Sequence, residues 1–468
     1  MAIKFGTEGW RAIIAEDFTA ANVRIVSQAV AEHYLEKAGG KPLTLAVGHD
    51  MRFLSDYFAA AVAEVFAGNG ISVLLTPRYV PTCAVSRFVL DHKLPAGIMI
   101  TASHNPGIYN GFKIKEAYGG SAGTETVASI EGRLASAAVK RMSLDDAKQA
   151  GLVKHADMLG GFIRGLKDFI DLKAIKRSRM KVIVESMHGT GGSIIENLIK
   201  GGTARVQTLH PEPDPLFGGH APEPIASHLT ELIKEIKRTK ADVGIANDGD
   251  ADRLGIIGAG GRWLNPGQVM CVLLLHLARN RGQSGMVVKT VSNTMMINRL
   301  AADLGLRLVE TPVGFKYVVK YFQEDDVLIG GEESGGIGVK GYMPERDGIL
   351  NGLLLLEAIA VSRKTLAQAM AELEKKYGRW HYGRRDLHLK MEQVERLFER
   401  LKTSAPSDMA GVKVVNVNRL DGVKLIGADD SWLLFRRSGT EPIVRVYAET
   451  PKQANLKKLL DFGVSLVQ

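Results

Sequence analysis

In the stretch NDGDADR, residues 247–253, Asp248, Asp250 and Asp252 stand at alternate positions. On an extended or turning backbone, alternate carboxylates can converge on one side and offer hard oxygens to a divalent cation. The spacing is not that of an EF-hand, whose sixth and twelfth loop positions are Gly and Glu; here they are Arg253 and Ala259. Three carboxylates leave an octahedral Mg²⁺ shell incomplete, and a phosphate is the natural source of a further oxygen. Taken alone, the same run also reads as an exposed acidic turn.

A partner for that run lies in ITASHNPGIYNGFKIK, residues 100–115. Ser103 sits beside His104 with Lys113 close in sequence. It could be a nucleophile activated by a base, or a carrier of a phosphoryl group. It could also be half of a polar turn with Asn105 ahead of Pro106. No GxSxG elbow frames the serine, which weakens a hydrolase reading. Two further loops add binding chemistry. GGEESGG places Glu332, Glu333 and Ser334 on a glycine frame of Gly330, Gly331, Gly335 and Gly336, suited to a ligand rich in hydroxyls. FRRSGTEP groups Arg436, Ser438, Gly439 and Thr440, a guanidinium with hydroxyls and free backbone N–H groups, as in a phosphate cradle. No GxxxxGK[ST] occurs, so a nucleotide P-loop is not supported.

These loops need elements that hold them in place. In open α/β sheets ligands bind beyond the carboxyl ends of strands, and three of the loops directly follow apolar runs: AGIMI, ADVGIA and DDVLI. Around them strand and helix patterns alternate. Val23, Val26, Val30 and Tyr34 recur at helical spacing, with Asp17 or Thr19 as N-cap and Gly39-Gly40 as the stop. LTLAV, the helix through DYFAAAVAEVFAGNG and ISVLLT complete the first unit. MKVIVES, SIIENLIK, ARVQTLH and HLTELIKEIKRTK repeat the pattern, as do GMVVKTVS, TMMINRLAADLG, RLVETPV and FKYVVKYFQED. From WHYGRRDLHLK onward, strands pair as hairpins around DG and ADD turns. The expected fold is α/β: three similar domains (1–150, 151–257 and 258–370) with mixed, mainly parallel sheets, plus a smaller C-terminal α+β domain (371–468).

Composition narrows the class. With 468 residues, 45% hydrophobic and 24% charged, the chain can bury several cores. The run VMCVLLLHLA is far shorter than a bilayer span, and the N-terminus MAIKFGTEGWR has no apolar leader, so no membrane partner and a cytoplasmic location are expected. Cys83 and Cys271, far apart in apolar segments, are expected to be buried reduced thiols. A formal charge of +9 favours anions. Aromatic content of 6%, without a basic stripe, argues against nucleic acid and for an anionic small molecule.

Five motifs together, FGTEGWR (5–11), TASHNP (101–106), DGDADR (248–253), GEESGG (331–336) and RSGTEP (437–442), resemble in order those of the α-D-phosphohexomutase superfamily of phosphoglucomutases, phosphomannomutases and phosphoglucosamine mutases. The likeness covers nearly the whole chain. It implies four domains around a central cleft, each giving one loop. It implies that Ser103 is a phosphoserine that donates its phosphoryl group to a hexose monophosphate and recovers the other one from a hexose 1,6-bisphosphate. Asp248, Asp250 and Asp252 would hold Mg²⁺, with a Ser103 phosphoryl oxygen as a further ligand. Arg11, Arg253 and Lys113 would add positive charge, and His104 or Lys113 would move the proton. Glu332 and Ser334 correspond to sugar-hydroxyl contacts, Lys289 in VVKT and Gly314 in TPVGFK to further substrate contacts, and Arg436, Ser438, Gly439 and Thr440 to the grip on the standing phosphate.

The chain departs from mannose-using relatives, which often read GEMSGH, at Gly336, and Phe315 replaces a frequent histidine. Glu333 and TPVGFK look more like phosphoglucomutases. The expectation is interconversion of glucose 1-phosphate and glucose 6-phosphate by a monomer or homodimer. The rivals are a phosphomannomutase, a dual-specificity enzyme, a phosphoglucosamine mutase or a sugar phosphatase.

Overall fold

The runs AGIMI, VGIA and VLIGG carry no polar side chain on either face, which is the composition of strands covered on both sides. In the computed structural model, which describes residues 3–6, 8–135, 138–437 and 443–467, they form the buried strands Ala96–Ile100, Val243–Asn247 and Val327–Gly331. The first belongs to a six-stranded mixed sheet. Thr44–His49 lies parallel between Ser72–Leu75 and Ala96–Ile100. Tyr109–Glu116 then returns antiparallel to Ala96–Ile100. Trp10–Ile13 forms one edge and Val153–His155 the other.

The second and third sheets repeat this plan with parallel centres and antiparallel margins. Lys181–Glu185 pairs parallel with Arg205–Leu209 and with Val243–Asn247, and Leu254–Gly258 closes back antiparallel. Met286–Thr290 pairs parallel with Leu308–Thr311 and Val327–Gly331, followed by antiparallel Ile337–Val339. The last sheet is antiparallel throughout, running from His381–His388 to Asp408–Met409. The expected α/β architecture, three similar units and a C-terminal α+β unit, is what the chain forms.

Local signals explain several element ends. Helix Ala20–Ala38 is capped by Thr19, whose side chain accepts from Asn22 N, and stops at left-handed Gly39. The apolar run VMCVLLLHLA spans helix Pro266–Leu275, which an Asn265/Gln268 capping box opens, and the π-helical turn His276–Asn280 that continues it. Among the described residues no helix is long and apolar enough to cross a membrane. Cys83 and Cys271 are free and buried. Strand Tyr109–Glu116 is polar along YNGFKIKE, yet Asn110, Lys113 and Lys115 are buried, their polar ends met by partners from other segments.

Packing decides how firmly the loops are held. One apolar cluster runs through Val85 and Phe88 of the first unit, Ile245 and Leu254 of the second, and Leu328 and Ile349 of the third. The three loops at their strand ends are thus set by a shared core. The last unit has a core of its own, around Leu397, Leu433, Phe435 and Leu459.

Candidate active site

Ser103 follows strand Ala96–Ile100 and stands at φ 55, in the left-handed region that non-glycine residues seldom occupy. Arg52 holds it there. The buried guanidinium donates to the carbonyl oxygens of Ser103 (2.7 Å), Asn105 (2.7 Å), Pro106 (2.8 Å) and Tyr109 (3.0 Å), while its Nε donates to Asp50 at 3.0 Å. Thr101 Oγ1 accepts from Ser103 N at 3.0 Å and donates to Asp50 at 2.6 Å. The loop is therefore a rigid frame, and the Ser103 hydroxyl it presents donates to Asp248 Oδ2 at 2.9 Å.

The aspartate loop reaches the same point from the second unit. Ala251 at φ 59 turns the backbone, and Asp248 Oδ1 accepts from Arg253 N at 2.9 Å. Asp248, Asp250 and Asp252 are fully buried, each with an oxygen within 4.8 Å of the others. Among the described residues, one oxygen of Asp250 and one of Asp252 have no hydrogen-bond partner. Buried, unpartnered carboxylate oxygens converging in this way are costly unless a cation meets them. Burial, and then Asp252 and Asp250, push the Asp248 carboxyl well up, as expected for clustered like charges. An all-oxygen set with room for added ligands fits Mg²⁺.

Positive charge encloses this cluster. Lys113, placed opposite Met99 by strand register, donates to Asp250 at 2.7 Å and Asp252 at 2.9 Å. Burial works against its charge, but Asp250, Asp252 and Glu8 outweigh it and hold the ammonium above its ordinary range. Thr82, the first residue of helix Thr82–Asp91, donates its hydroxyl and its N–H to Asp250. Arg346 joins three units: it donates to Asp252 at 2.8 Å and to Glu332 at 3.0 Å, and it pairs with Glu8. Sequence reasoning misses Arg52, Thr82, Glu8 and Arg346. Glu8 at least lies within the FGTEGWR motif; the others carry no local signal.

The junction has a consequence for acid stability. Burial alone would raise Glu8, yet Arg346 and then Lys113 hold its carboxyl down at about 2, from an ordinary 4.5. As pH falls the unfolded chain takes up this proton first, so the stabilisation is present above pH 4.5 and lost between 4.5 and about 2. A shift of this size corresponds to about 3 kcal/mol. Glu8→Gln is expected to be less stable than wild type at pH 7 and to show a shallower acid limb in urea denaturation followed from pH 7 to pH 3. An unchanged limb would contradict this.

His104 follows the serine directly, with Arg253 and Arg11 near its ring. Arg11 donates to Asn105 at 2.7 Å. Burial lowers Arg11, and Arg253 adds repulsion. Burial, then Arg253 and Arg11, hold the His104 imidazole well below its usual range, hence neutral. His104 Nδ1 and Arg253 Nε are buried without partners among the described residues. The two guanidiniums thus put positive charge beside the His104 ring, one residue from Ser103.

The remaining expected residues divide. Glu332 enters the cluster through Arg346, its carboxyl pushed up to about 7 by burial and Glu333 against Arg346. Ser334 lies half-buried in the same loop. Gly314 opens helix Phe315–Glu324 at φ 135. Lys289 is fully buried, with its ammonium given to the carbonyls of Asn293 and Thr294 and paired with Glu310 at 3.2 Å; no described contact links it to Ser103. Arg436 is paired with Asp421 at 2.7 Å. Ser438, Gly439 and Thr440 lie outside the described residues.

The chain matches four families in order, described as "Phosphoglucomutase/phosphomannomutase, alpha/beta/alpha domain I" over residues 2–140, domain II over 160–261, domain III over 265–377, and "C-terminal domain" over 390–463. It is 30% identical to a phosphoglucomutase of Komagataeibacter xylinus over 97% of this chain and 88% of that one. It is 28% identical to a phosphoglucomutase/phosphomannomutase of Thermococcus kodakarensis, covering 99% and 98%. A phosphoglucosamine/phosphogalactosamine mutase of Sulfurisphaera tokodaii is 28% identical, covering 95% and 94%. A solved structure of a Thermus thermophilus protein assigned as a phosphomannomutase superposes with a TM-score of 0.87 at 35% identity, covering 100% and 99%.

Proposed function

The chain belongs to the phosphoglucomutase/phosphomannomutase family of isomerases, and from that premise we propose that it interconverts glucose 1-phosphate and glucose 6-phosphate through phosphorylated Ser103. The observation that carries this reading is the Ser103 hydroxyl on Asp248 at 2.9 Å, inside a buried three-aspartate cluster. A serine bonded to such a cluster is placed for phosphoryl transfer, which depends on position and charge more than on covalent chemistry.

Asp248, Asp250 and Asp252, with an oxygen on Ser103, would hold Mg²⁺, which when bound neutralises charge on the phosphoryl oxygens. The chain's own residues do the rest. The bond from Ser103 Oγ to phosphorus breaks as a bond forms from phosphorus to the free sugar hydroxyl. The hydroxyl proton passes to neutral His104 and then to Ser103 Oγ. Lys113 stays an ammonium, held so by Asp250 and Asp252, and Arg11 and Arg253 meet the phosphoryl oxygens. The bisphosphate then turns over in the cleft, and Ser103 takes back the other phosphoryl group by the reverse step. A hexose 1,6-bisphosphate is thus both intermediate and activator, and no inorganic phosphate is released.

Glu333 supports the glucose preference. Its carboxylate accepts from Ser292 at 2.6 Å and Thr290 at 3.0 Å, which ties the GEESGG loop to the end of strand Met286–Thr290 and places the residue that resembles phosphoglucomutases in sequence. Assays on glucose 1-phosphate, mannose 1-phosphate and glucosamine 1-phosphate, with Mg²⁺ and with EDTA, test the proposal. Glucose 1-phosphate is expected to give the highest kcat/KM, and EDTA to abolish turnover. A higher value on either other sugar would overturn the preference, and stoichiometric phosphate release would replace the mutase by a phosphatase.

A further inference from the structure

The last unit keeps its own core, so its place against the third unit is set by a small apolar cluster of Val291, Trp432, Leu434 and Tyr447 and by a few polar contacts. Most of those contacts lie away from the site. Lys424 donates to Val291 O at 2.6 Å, Glu449 accepts from Met295 N at 2.8 Å, and Arg299 pairs with Asp430 at 2.6 Å. Asp421 is different. Its Oδ2 accepts from Arg436 Nε at 2.7 Å and from Val313 N at 2.8 Å. One carboxylate oxygen therefore touches both the candidate phosphate-binding arginine and the TPVGFK loop, one residue before Gly314.

The surrounding backbone fixes the direction of that contact. The turn between strands Val412–Asn418 and Val423–Gly427 closes at Gly422, whose φ is 82 and where a Cβ would lie 2.0 Å from Phe435 O. The turn is thus pressed onto strand Trp432–Arg437, and Asp421 is held beside Arg436. Using Nε for Asp421 leaves both terminal Nη atoms of Arg436 free of described partners, the fork that recognises a phosphate.

We propose that Asp421 is a positioning residue: it aims the two Nη atoms of Arg436 at the phosphate that is not being transferred and locks that aim to the sugar loop at Val313–Gly314. This rests on the mutase reading above. A standing phosphate is bound alike in the ground and transition states, so weakening its grip raises KM and leaves kcat in place. The interface contacts of Lys424, Glu449 and Arg299 persist without Asp421, so the last unit stays docked.

The test is steady-state kinetics on glucose 1-phosphate, with thermal unfolding, of wild type, Asp421→Ala, Asp421→Asn, Arg436→Ala and the double variant Asp421→Ala/Arg436→Ala. Losing a charge-assisted hydrogen bond predicts a KM raised about tenfold for Asp421→Ala, with kcat within about threefold. Asp421→Asn, which retains a neutral acceptor, should fall between it and wild type; if the alanine variant does not fold, the asparagine variant carries the test. The double variant should be no worse than Arg436→Ala alone, because Asp421 acts through Arg436. A wild-type KM in the folded Asp421 variants, or full additivity in the double variant, would overturn the role while wild-type turnover stands. No turnover by wild type on any hexose phosphate would sink the mutase reading, and this one with it.

Discussion

Ser103→Ala is expected to lose about 10⁴-fold or more in turnover on hexose phosphates while keeping its fold. The activity falls because the group that carries the phosphoryl is gone, and the neighbours cannot replace it. His104 is shielded by burial among Arg11 and Arg253, and Lys113 is bound to Asp250 and Asp252. The fold survives because the substitution removes one side-chain hydrogen bond, from Ser103 Oγ to Asp248, worth about 1 kcal/mol. The frame of the loop is made by Arg52 through backbone carbonyls, which alanine retains. A coupled assay and a thermal scan on the same preparation read both halves. Folded Ser103→Ala with turnover near wild type would reject the covalent route.

Arg52→Ala should be nearly as damaging by a different path. Removing the guanidinium leaves the carbonyls of Ser103, Asn105, Pro106 and Tyr109 without their donor. It also leaves Asp50 buried without its ion-pair partner at 3.0 Å, and strips the cation from the Phe217 ring at 4.7 Å. Breaking a buried pair from one side costs about 3–5 kcal/mol. The left-handed conformation at Ser103 then loses what enforces it. We expect a lowered urea midpoint and turnover down by about 10²-fold or more, since misplacing a reacting group by about 1 Å has that effect. Arg52→Lys keeps the charge but not the planar fork, so it should recover part of the stability and little of the activity. Wild-type turnover in Arg52→Ala would show that the loop holds itself.

The contrast between these two residues shows what can be read from the chain. Ser103 and the three aspartates are visible because each lies in a compact motif after an apolar strand, and short-range pattern is what sequence displays. Arg52 is not, because the four carbonyls it holds are 51 to 57 positions away and a lone arginine in DMRFLS carries no periodicity. Thr82 and Arg346 are hidden for the same reason, with partners 168 and 94 positions distant. The alternation of strands and helices is legible wherever hydrophobic spacing is strong. It is faint at Tyr109–Glu116, where buried Lys113 and Lys115 are matched by carboxylates from other units. Lys289 shows the opposite limit. Its motif is readable, but that its ammonium is given to Asn293, Thr294 and Glu310 follows from the packing of strand Met286–Thr290 against the next turn.

The central claim is that Ser103 carries the phosphoryl group. Intact and peptide mass spectrometry of the protein, after incubation with glucose 1,6-bisphosphate and Mg²⁺, tests it most directly. A phosphoryl adduct of about 80 Da, the mass of HPO₃, located on Ser103 and discharged by added glucose 1-phosphate, is the predicted result. An unmodified Ser103 in protein that still turns over hexose phosphates would contradict it.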